Sequence, residues 1–249
     1  MLSQRLQSVR QRIRQACERS GRPPSAVTLV GVTKGIGVDA IREAIGLGLT
    51  DLGENRVQEA RQKIQAFPDA GAQPVRWHLI GHLQRNKVRA AVTLFDVVHS
   101  VDSAELVDDL ERQAAVVRGT GHGVGGRGTT KPLEVFIQVN ISGEGTKFGC
   151  RPDETIPLVQ QTLQQPHLSL RGLMTIAPFS NNPEDARPFF RELRVLRDEL
   201  QADLSFPVPR SPSLQLSMGM SHDFEIAIEE GADLVRVGTA IFGDRGVEP

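Results

Sequence analysis

Eight short apolar segments alternate with longer amphipathic segments along this chain, and that alternation restricts its possible folds most strongly. The apolar segments are too short or too uniformly apolar to keep one face in water, which is typical of buried parallel strands. They cover residues 27–32, 51–53, 76–81, 96–100, 133–140, 170–176, 213–217 and 233–237. Between them, apolar residues recur every three or four positions and predict helices. Eight strand–helix units in 249 residues predict an α/β fold, a single (β/α)8 TIM barrel, with a doubly wound open sheet as the alternative.

The segments outside these units predict one extra helix and one loop. Leu2, Leu6, Val9 and Ile13 are separated by arginines, which predicts an amphipathic N-terminal helix rather than a secretion signal. Residues 119–130 contain six glycines, and we expect a flexible loop between the fourth helix of the barrel and the fifth strand. Residues 1–249 are therefore assigned to a single domain.

Composition excludes several classes of function. The formal net charge of −1 indicates neither a nucleic-acid partner nor a membrane surface. No apolar stretch approaches the roughly 20 residues that span a bilayer. The two cysteines, Cys17 and Cys150, have no metal-binding spacing, and no metal site is predicted. We expect a cytoplasmic protein and, because no long apolar stripe is left unpaired, a monomer.

Lys34 follows the first predicted strand directly, so its amine lies at the carboxyl end of that strand. Active sites of parallel barrels are built at this end. A desolvated lysine amine loses its proton readily and forms a Schiff base with an aldehyde or ketone, either a sugar phosphate or pyridoxal 5'-phosphate (PLP). A lysine that simply extends to water is the alternative.

The last two strands lead into small and hydroxyl residues, which predicts a phosphate site. The segments are Ser-Met-Gly-Met-Ser at 217–221 and Gly-Thr at 238–239. Free backbone N–H groups at the start of a helix bind anions, and the loops after strands seven and eight of a barrel often hold a phosphate. Each segment could instead be an ordinary helix N-cap.

Three further polar residues are candidates for the same site, each with an alternative role. Arg236 lies within the eighth strand, where a buried guanidinium needs an acceptor; a cofactor, Asp233 or Glu230 could supply it. His78 on strand three either reaches the site or forms a hydrogen bond in the core. Asn55 either lies near a ligand or caps the following helix.

Five motifs, in order along nearly the whole chain, closely resemble the pyridoxal phosphate homeostasis family, also known as YggS or PROSC. They are Val-Thr-Lys at 32–34, Gly-Glu-Asn-Arg-Val-Gln-Glu at 53–59, Trp-His-Leu-Ile-Gly-His-Leu-Gln-Arg-Asn-Lys at 77–87, Ser-Met-Gly-Met-Ser at 217–221 and Arg-Val-Gly-Thr at 236–239. The resemblance implies a barrel of the alanine racemase type, that is, fold-type III PLP binding. It implies a Schiff base between PLP and Lys34, and a role in vitamin B6 and amino-acid homeostasis.

The resemblance also implies which other residues bind PLP. Arg236 is expected to face the pyridine nitrogen or the phosphate, and Asn55 to lie near the ring; His78 stays a cofactor-binding candidate from its position on strand three alone. The residues expected around the phosphate are Ser217, Gly219, Ser221, Gly238 and Thr239. The loop at 35–37, Gly-Ile-Gly, departs from the usual family pattern.

Three functions are compatible with these residues. The first is a non-catalytic PLP carrier that delivers the cofactor to amines or to PLP-dependent apoenzymes. The second is a PLP-dependent amino-acid racemase, which needs two bases; the chain has no tyrosine, the usual partner of the lysine, although a histidine such as His78, His82 or His222 could replace it. The third is a Schiff-base aldolase. We expect the carrier.

Overall fold

The computed structural model describes residues 1–67, 75–118, 131–202 and 213–243. Its centre is a closed barrel of eight parallel strands in sequence order, so the predicted barrel is confirmed and the open sheet is wrong. Closure comes from pairing between the first and last strands, from Thr28 against Leu234 to Gly31 against Val237. The strands are β1 Thr28–Val32, β2 Asp51–Glu54, β3 Arg76–Leu79, β4 Val97–Val101, β5 Leu133–Gln138, β6 Leu168–Met174, β7 Gln215–Met220 and β8 Leu234–Val237.

Helices surround the barrel, and the predicted N-terminal helix precedes the first strand. They are α1 Leu2–Arg19, α2 Val38–Gly46, α3 Val57–Gln65, α4 Val88–Leu94, α5 Ala104–Val117, α6 Thr155–Leu163, α7 Arg187–Ala202, α8 Phe224–Glu229 and α9 Thr239–Phe242. Helix α1 packs against α8 and α9. None of the helices in the described ranges is long and apolar enough to cross a membrane. The glycine-rich loop predicted at 119–130 lies outside the described residues.

Two apolar cores hold this architecture together. The larger core lies between the outward faces of the strands and the helices, and it includes the fully buried Trp77, Phe190 and Phe224. The smaller core lies on the interior faces of the strands and contains Val30, Val97, Phe136, Met174 and Leu234. Because all strands are parallel, their carboxyl ends meet at one mouth of the barrel, which brings Lys34 to the same end as the turns after β7 and β8.

Candidate functional site

Lys34 lies in the turn that follows β1, as the sequence predicted, and its side chain is half-buried rather than fully desolvated. Gly35 has a φ of +70°, a backbone conformation that glycine adopts without strain. The Ile36 amide donates to the Thr33 carbonyl over 2.9 Å and closes the turn. The glycine that departs from the family pattern therefore occupies a tight turn.

A buried cluster of charges lies beside this turn, and we call it the Lys63 cluster. The Lys63 ammonium donates to the Thr33 carbonyl at 2.5 Å, to Glu54 Oε1 at 2.7 Å and to Glu59 Oε1 at 2.6 Å. Glu59 Oε1 also accepts the Gly35 amide at 2.5 Å. The Thr33 hydroxyl donates to Glu54 at 2.5 Å. The residues on both sides of Lys34 are thus held by one lysine and two carboxylates.

The two carboxylates of the Lys63 cluster differ in their environments. Glu54 is fully buried, and desolvation raises its pKa above the usual value although Lys63 and Thr33 act in the opposite direction. Its Oε2 atom is buried and has no hydrogen-bond partner in the described residues. Glu59 is partly exposed; the hydrogen bonds from Lys63 and Gly35 outweigh its desolvation and lower its pKa. The sequence analysis did not assign a role to this cluster.

The turns after β7 and β8 meet, which brings three of the predicted phosphate residues together. The Ser221 hydroxyl accepts the Gly238 amide at 3.1 Å and the Ala240 amide at 3.4 Å. Thr239 lies between them, begins α9 and is exposed. A side chain at Gly238 would place its Cβ 3.3 Å from Val32 Cβ and 3.4 Å from the Val32 carbonyl oxygen, so glycine leaves this crowded position open.

The other two predicted phosphate residues lie on β7, just before Ser221. Ser217 is buried in the barrel interior, where its hydroxyl contacts His99 and Arg236. Gly219 has a φ of +89°, and a Cβ there would lie 2.5 Å from Ala227 Cβ. Gly219 therefore permits close packing of β7 against α8. The structure groups Ser221, Gly238 and Thr239, and contact of Ser217 and Gly219 with a phosphate stays a prediction.

Arg236 is only 3% exposed, and desolvation lowers its pKa to about 10. Its Nη1 donates to the Ser217 hydroxyl at 2.7 Å, and its Nη2 donates to the Thr175 carbonyl at 2.8 Å. Neither acidic residue considered from the sequence is its partner among the described hydrogen bonds. Asp233 binds Arg22 at 2.8 Å instead.

Glu230 is the other acid considered for Arg236, and it serves three arginines on α7. Its oxygens lie within 3.2 Å of Arg187, 3.0 Å of Arg191 and 3.1 Å of Arg194. The structural salt bridges proposed as an alternative for Arg236 are therefore wrong within the described residues. The guanidinium is instead bound to neutral oxygens.

His78 is fully buried, and both of its ring nitrogens have polar neighbours. Nδ1 lies 2.9 Å from His99 Nε2, and Nε2 lies 3.0 Å from Asp51 Oδ1. His99 stacks on Phe136, and burial lowers its pKa well below the usual range. The core hydrogen bond considered for His78 is thus present, and direct contact with a ligand stays a prediction.

Asn55 is half-buried in the turn between β2 and α3. Arg56 is the N-cap of α3 and no side chain caps the helix, so the alternative role of Asn55 as N-cap is wrong. Gly81 packs against the Asn55 backbone; a Cβ there would lie 2.3 Å from the Asn55 carbonyl oxygen. Asn55 also borders a cavity of about 720 Å³, whose other lining residues are Arg56, Val57, Gln58, Glu59, Gln62, His82, Gln84 and Lys87.

Sequence reasoning overlooked His99, Thr175 and the Lys63 cluster. One signal was available for His99: it is the ionisable residue of the strand Val-Val-His-Ser-Val, on the same face as Val97. An ionisable side chain on the interior face of a barrel strand needs a polar partner across the barrel. Thr175 acts through its carbonyl, which leaves no side-chain signal.

Comparisons with known proteins show the family of this chain. Residues 4–246 match the family model described as the alanine racemase N-terminal domain. The pyridoxal phosphate homeostasis protein of Aquifex aeolicus is 43% identical over 242 residues, which is 97% of each chain. The chain belongs to the pyridoxal phosphate homeostasis protein family. A second member of that family, from Pseudomonas aeruginosa, is 40% identical over 98% of this chain and 96% of its own.

Solved structures extend the comparison to the fold of the family. PipY of Synechococcus elongatus, solved without PLP, has a TM-score of 0.80 and 36% identity, covering 98% of this chain and 100% of its own. PipY with PLP bound has a TM-score of 0.77 and 35% identity over the same shares. An alanine racemase of Clostridium difficile shares the fold alone, with a TM-score of 0.67 and 12% identity over 96% of this chain and 56% of its own.

Proposed function

We propose that this protein binds PLP as a reversible Schiff base on Lys34 and serves vitamin B6 and amino-acid homeostasis without turnover of its own. The observation that carries the proposal is the nearly full-length similarity to pyridoxal phosphate homeostasis proteins, together with a relative of 35% identity that was solved with PLP bound. PLP supplies an aldehyde that a lysine amine can capture reversibly. The residues at the barrel mouth fit such a cofactor.

The fit rests on the donors of three strand ends. Lys34 supplies the amine after β1. The Gly238 and Ala240 amides both donate to one oxygen, the Ser221 hydroxyl. A phosphate near the start of α9 would gain these donors. Arg236 lies on β8, where its hydrogen bonds to Ser217 and to the Thr175 carbonyl hold the guanidinium.

The properties of Arg236 favour a carrier. Enzymes that need a strong electron sink place a carboxylate beside the pyridine nitrogen of PLP, which keeps the ring protonated. A guanidinium can only donate a hydrogen bond and so favours the unprotonated ring. We propose that Arg236 faces that nitrogen and that Asn55 lies near the ring. Racemase chemistry would need a second base, and the chain contains no tyrosine.

Delivery would occur by exchange at Lys34, in which a competing amine, free or on a PLP-dependent apoenzyme, takes the aldehyde. The Lys34 turn lies at the mouth of the barrel and its side chain is half-buried, which supports access by such an amine. We further propose that the protein acts as a cytoplasmic monomer. Sedimentation of the purified chain with and without PLP tests the oligomeric state.

The absorption spectrum of the purified protein tests the proposal. Wild type with PLP should absorb in the visible as a protonated Schiff base. Lys34→Ala and Lys34→Arg should both lose this band, since neither side chain forms the bond, while weak phosphate-dependent binding remains. Lys147→Ala is the matched control, because Lys147 pairs with the exposed Glu144 at 3.1 Å on a surface loop. An unchanged visible spectrum in both Lys34 variants would overturn the assignment.

A further inference from the structure

A line of hydrogen bonds crosses the barrel interior from β8 to β2, and we call it the histidine relay. It begins at Arg236 Nη1, which donates to Ser217 Oγ over 2.7 Å. Ser217 Oγ lies 2.8 Å from His99 Nδ1, and His99 Nε2 lies 2.9 Å from His78 Nδ1. The line ends where His78 Nε2 meets Asp51 Oδ1 at 3.0 Å. Both histidines and Ser217 are fully buried.

One arrangement of protons satisfies every member of the relay. Asp51 as a carboxylate can only accept, so His78 carries its proton on Nε2. A neutral His78 then accepts at Nδ1 from His99 Nε2–H. His99 in turn accepts at Nδ1 from the Ser217 hydroxyl, whose oxygen accepts from Arg236. All donors therefore point from the arginine towards Asp51.

A charged His78 would reverse the hydrogen bonds between His78 and His99 and between His99 and Ser217. His99 would then donate to Ser217 through Nδ1–H, and the Ser217 hydroxyl proton would have no acceptor among the described hydrogen bonds. It would also place a second cation in the interior that already holds Arg236. A buried hydroxyl without an acceptor and an added buried charge are both costly. The neutral arrangement avoids both.

We propose that His99 and His78 are positioning residues for Arg236: they fix the Ser217 hydroxyl, so that the guanidinium is held in one orientation towards the ring nitrogen of PLP. This role rests on the proposed function, because it concerns the face that Arg236 presents to the cofactor. The relay also joins the buried arginine to a carboxylate on β2, through Ser217 on β7, His99 on β4 and His78 on β3. Asp51 is itself 3.8 Å from Arg76 and partly exposed.

The proton arrangement is tested first on the full-length chain without PLP, so that the result does not depend on cofactor binding. Nitrogen NMR of ¹⁵N-histidine protein, assigned with His78→Asn and His99→Asn, should show both rings protonated at Nε2 and unprotonated at Nδ1. The shifts of the His99 ring should stay constant between about pH 6 and about pH 8, a range in which an exposed histidine titrates. A proton at Nδ1 of either ring, or titration of His99 in this range, would overturn the relay.

The positioning role is tested with PLP in two variants of His99. His99→Phe removes both hydrogen bonds, and we expect the visible maximum of bound PLP to shift and the affinity for PLP to fall about tenfold, as for the loss of one well-formed hydrogen bond. His99→Asn retains an acceptor near Nδ1 for Ser217 and should restore most of the wild-type spectrum. The control is His167→Asn, because His167 pairs with Glu111 at 2.6 Å on the outside of the barrel.

The outcomes separate this inference from the proposed function. The positioning role is supported if wild type forms the Lys34 adduct, folded His99→Phe has a shifted spectrum and folded His99→Asn has a spectrum closer to that of wild type. If both variants keep the wild-type spectrum and affinity, the positioning role is wrong while the Lys34 assignment stands. If wild type binds no PLP, the proposed function fails and the NMR result alone reports on the relay.

Discussion

Two buried polar groups of the barrel, the Lys63 cluster and the histidine relay, balance their charges in different ways. In the Lys63 cluster, an ammonium touches two carboxylates directly, at 2.7 Å and 2.6 Å. In the histidine relay, the Arg236 guanidinium contacts neutral oxygens, and three neutral side chains separate it from Asp51. Direct buried pairs are costly to break, because the remaining charge loses its partner, whereas chains of neutral groups mainly fix orientation. The first arrangement suits the turn that carries Lys34, and the second suits a group that must face a ligand.

Lys63→Met should have the largest effect, because it breaks the direct cluster. The change leaves Glu54, which is fully buried, without its cation. We expect the free energy of unfolding to fall by about 3–5 kcal/mol near neutral pH, measured by urea denaturation. Lys147→Met, at the exposed pair with Glu144, should change it by less than about 1 kcal/mol. Equal losses in the two variants would contradict the comparison.

Asp51→Asn should lower the free energy of unfolding by less, because it removes the carboxylate charge of the relay and keeps an acceptor for His78. A hydrogen bond to a charged group becomes a neutral one, and we expect a loss of about 1–2 kcal/mol by the same measurement. Arg76→Gln is the control for the ion pair between Asp51 and Arg76 at 3.8 Å, and its effect includes the loss of the pair between Arg76 and Glu134 at 2.6 Å. A loss in Asp51→Asn as large as that in Lys63→Met would show that the relay works as a direct ion pair.

The pH dependence of stability should differ in sign between the two groups. Burial lowers the pKa of His99, so the unfolded chain takes up a proton below about pH 6.5 that the folded chain does not. The stability due to His99 is present above about pH 6.5 and is lost as pH falls, by about 1.4 kcal/mol per pH unit. Desolvation raises the pKa of Glu54. The stability due to Glu54 is therefore present below pH 4.5, the usual pKa of a glutamate, and is lost as pH rises.

Two variants measure these opposite slopes between about pH 5 and about pH 7. His99→Asn should make the stability of the protein fall less steeply as pH decreases. Glu54→Gln should make it fall more steeply, because the compensating proton uptake is lost. Urea denaturation at a series of pH values gives both slopes. A slope unchanged by His99→Asn would mean that His99 is not buried as a neutral ring.

The sequence predicted those parts of the fold and site that depend on local pattern. All eight strands are present, with ends that differ by a few residues, since the pattern does not mark where pairing stops. Lys34 could be located because it directly follows an apolar run. Arg236 was identified as buried, but its partners are Ser217 on β7 and Thr175 just after β6, and the pairing of neighbouring strands brings them to it.

The residues that sequence reasoning missed act through contacts between distant segments. Lys63 reaches Thr33 across 30 positions, and His99 reaches Ser217 across 118 positions. Register between neighbouring strands decides which interior side chains meet, and that register depends on closure of the whole barrel. The motif Gly-Glu-Asn was selected for Asn55. Its glutamate, Glu54, accepts a hydrogen bond from Lys63 and belongs to the Lys63 cluster.

The central claim is that Lys34 forms the bond to PLP, and reductive trapping tests it most directly. The protein is saturated with PLP, reduced with borohydride, digested and analysed by mass spectrometry. We predict one phosphopyridoxyl group, on the peptide that contains Lys34. A modification confined to another lysine, such as Lys63 or Lys87, or no modification at saturating PLP, would contradict the account.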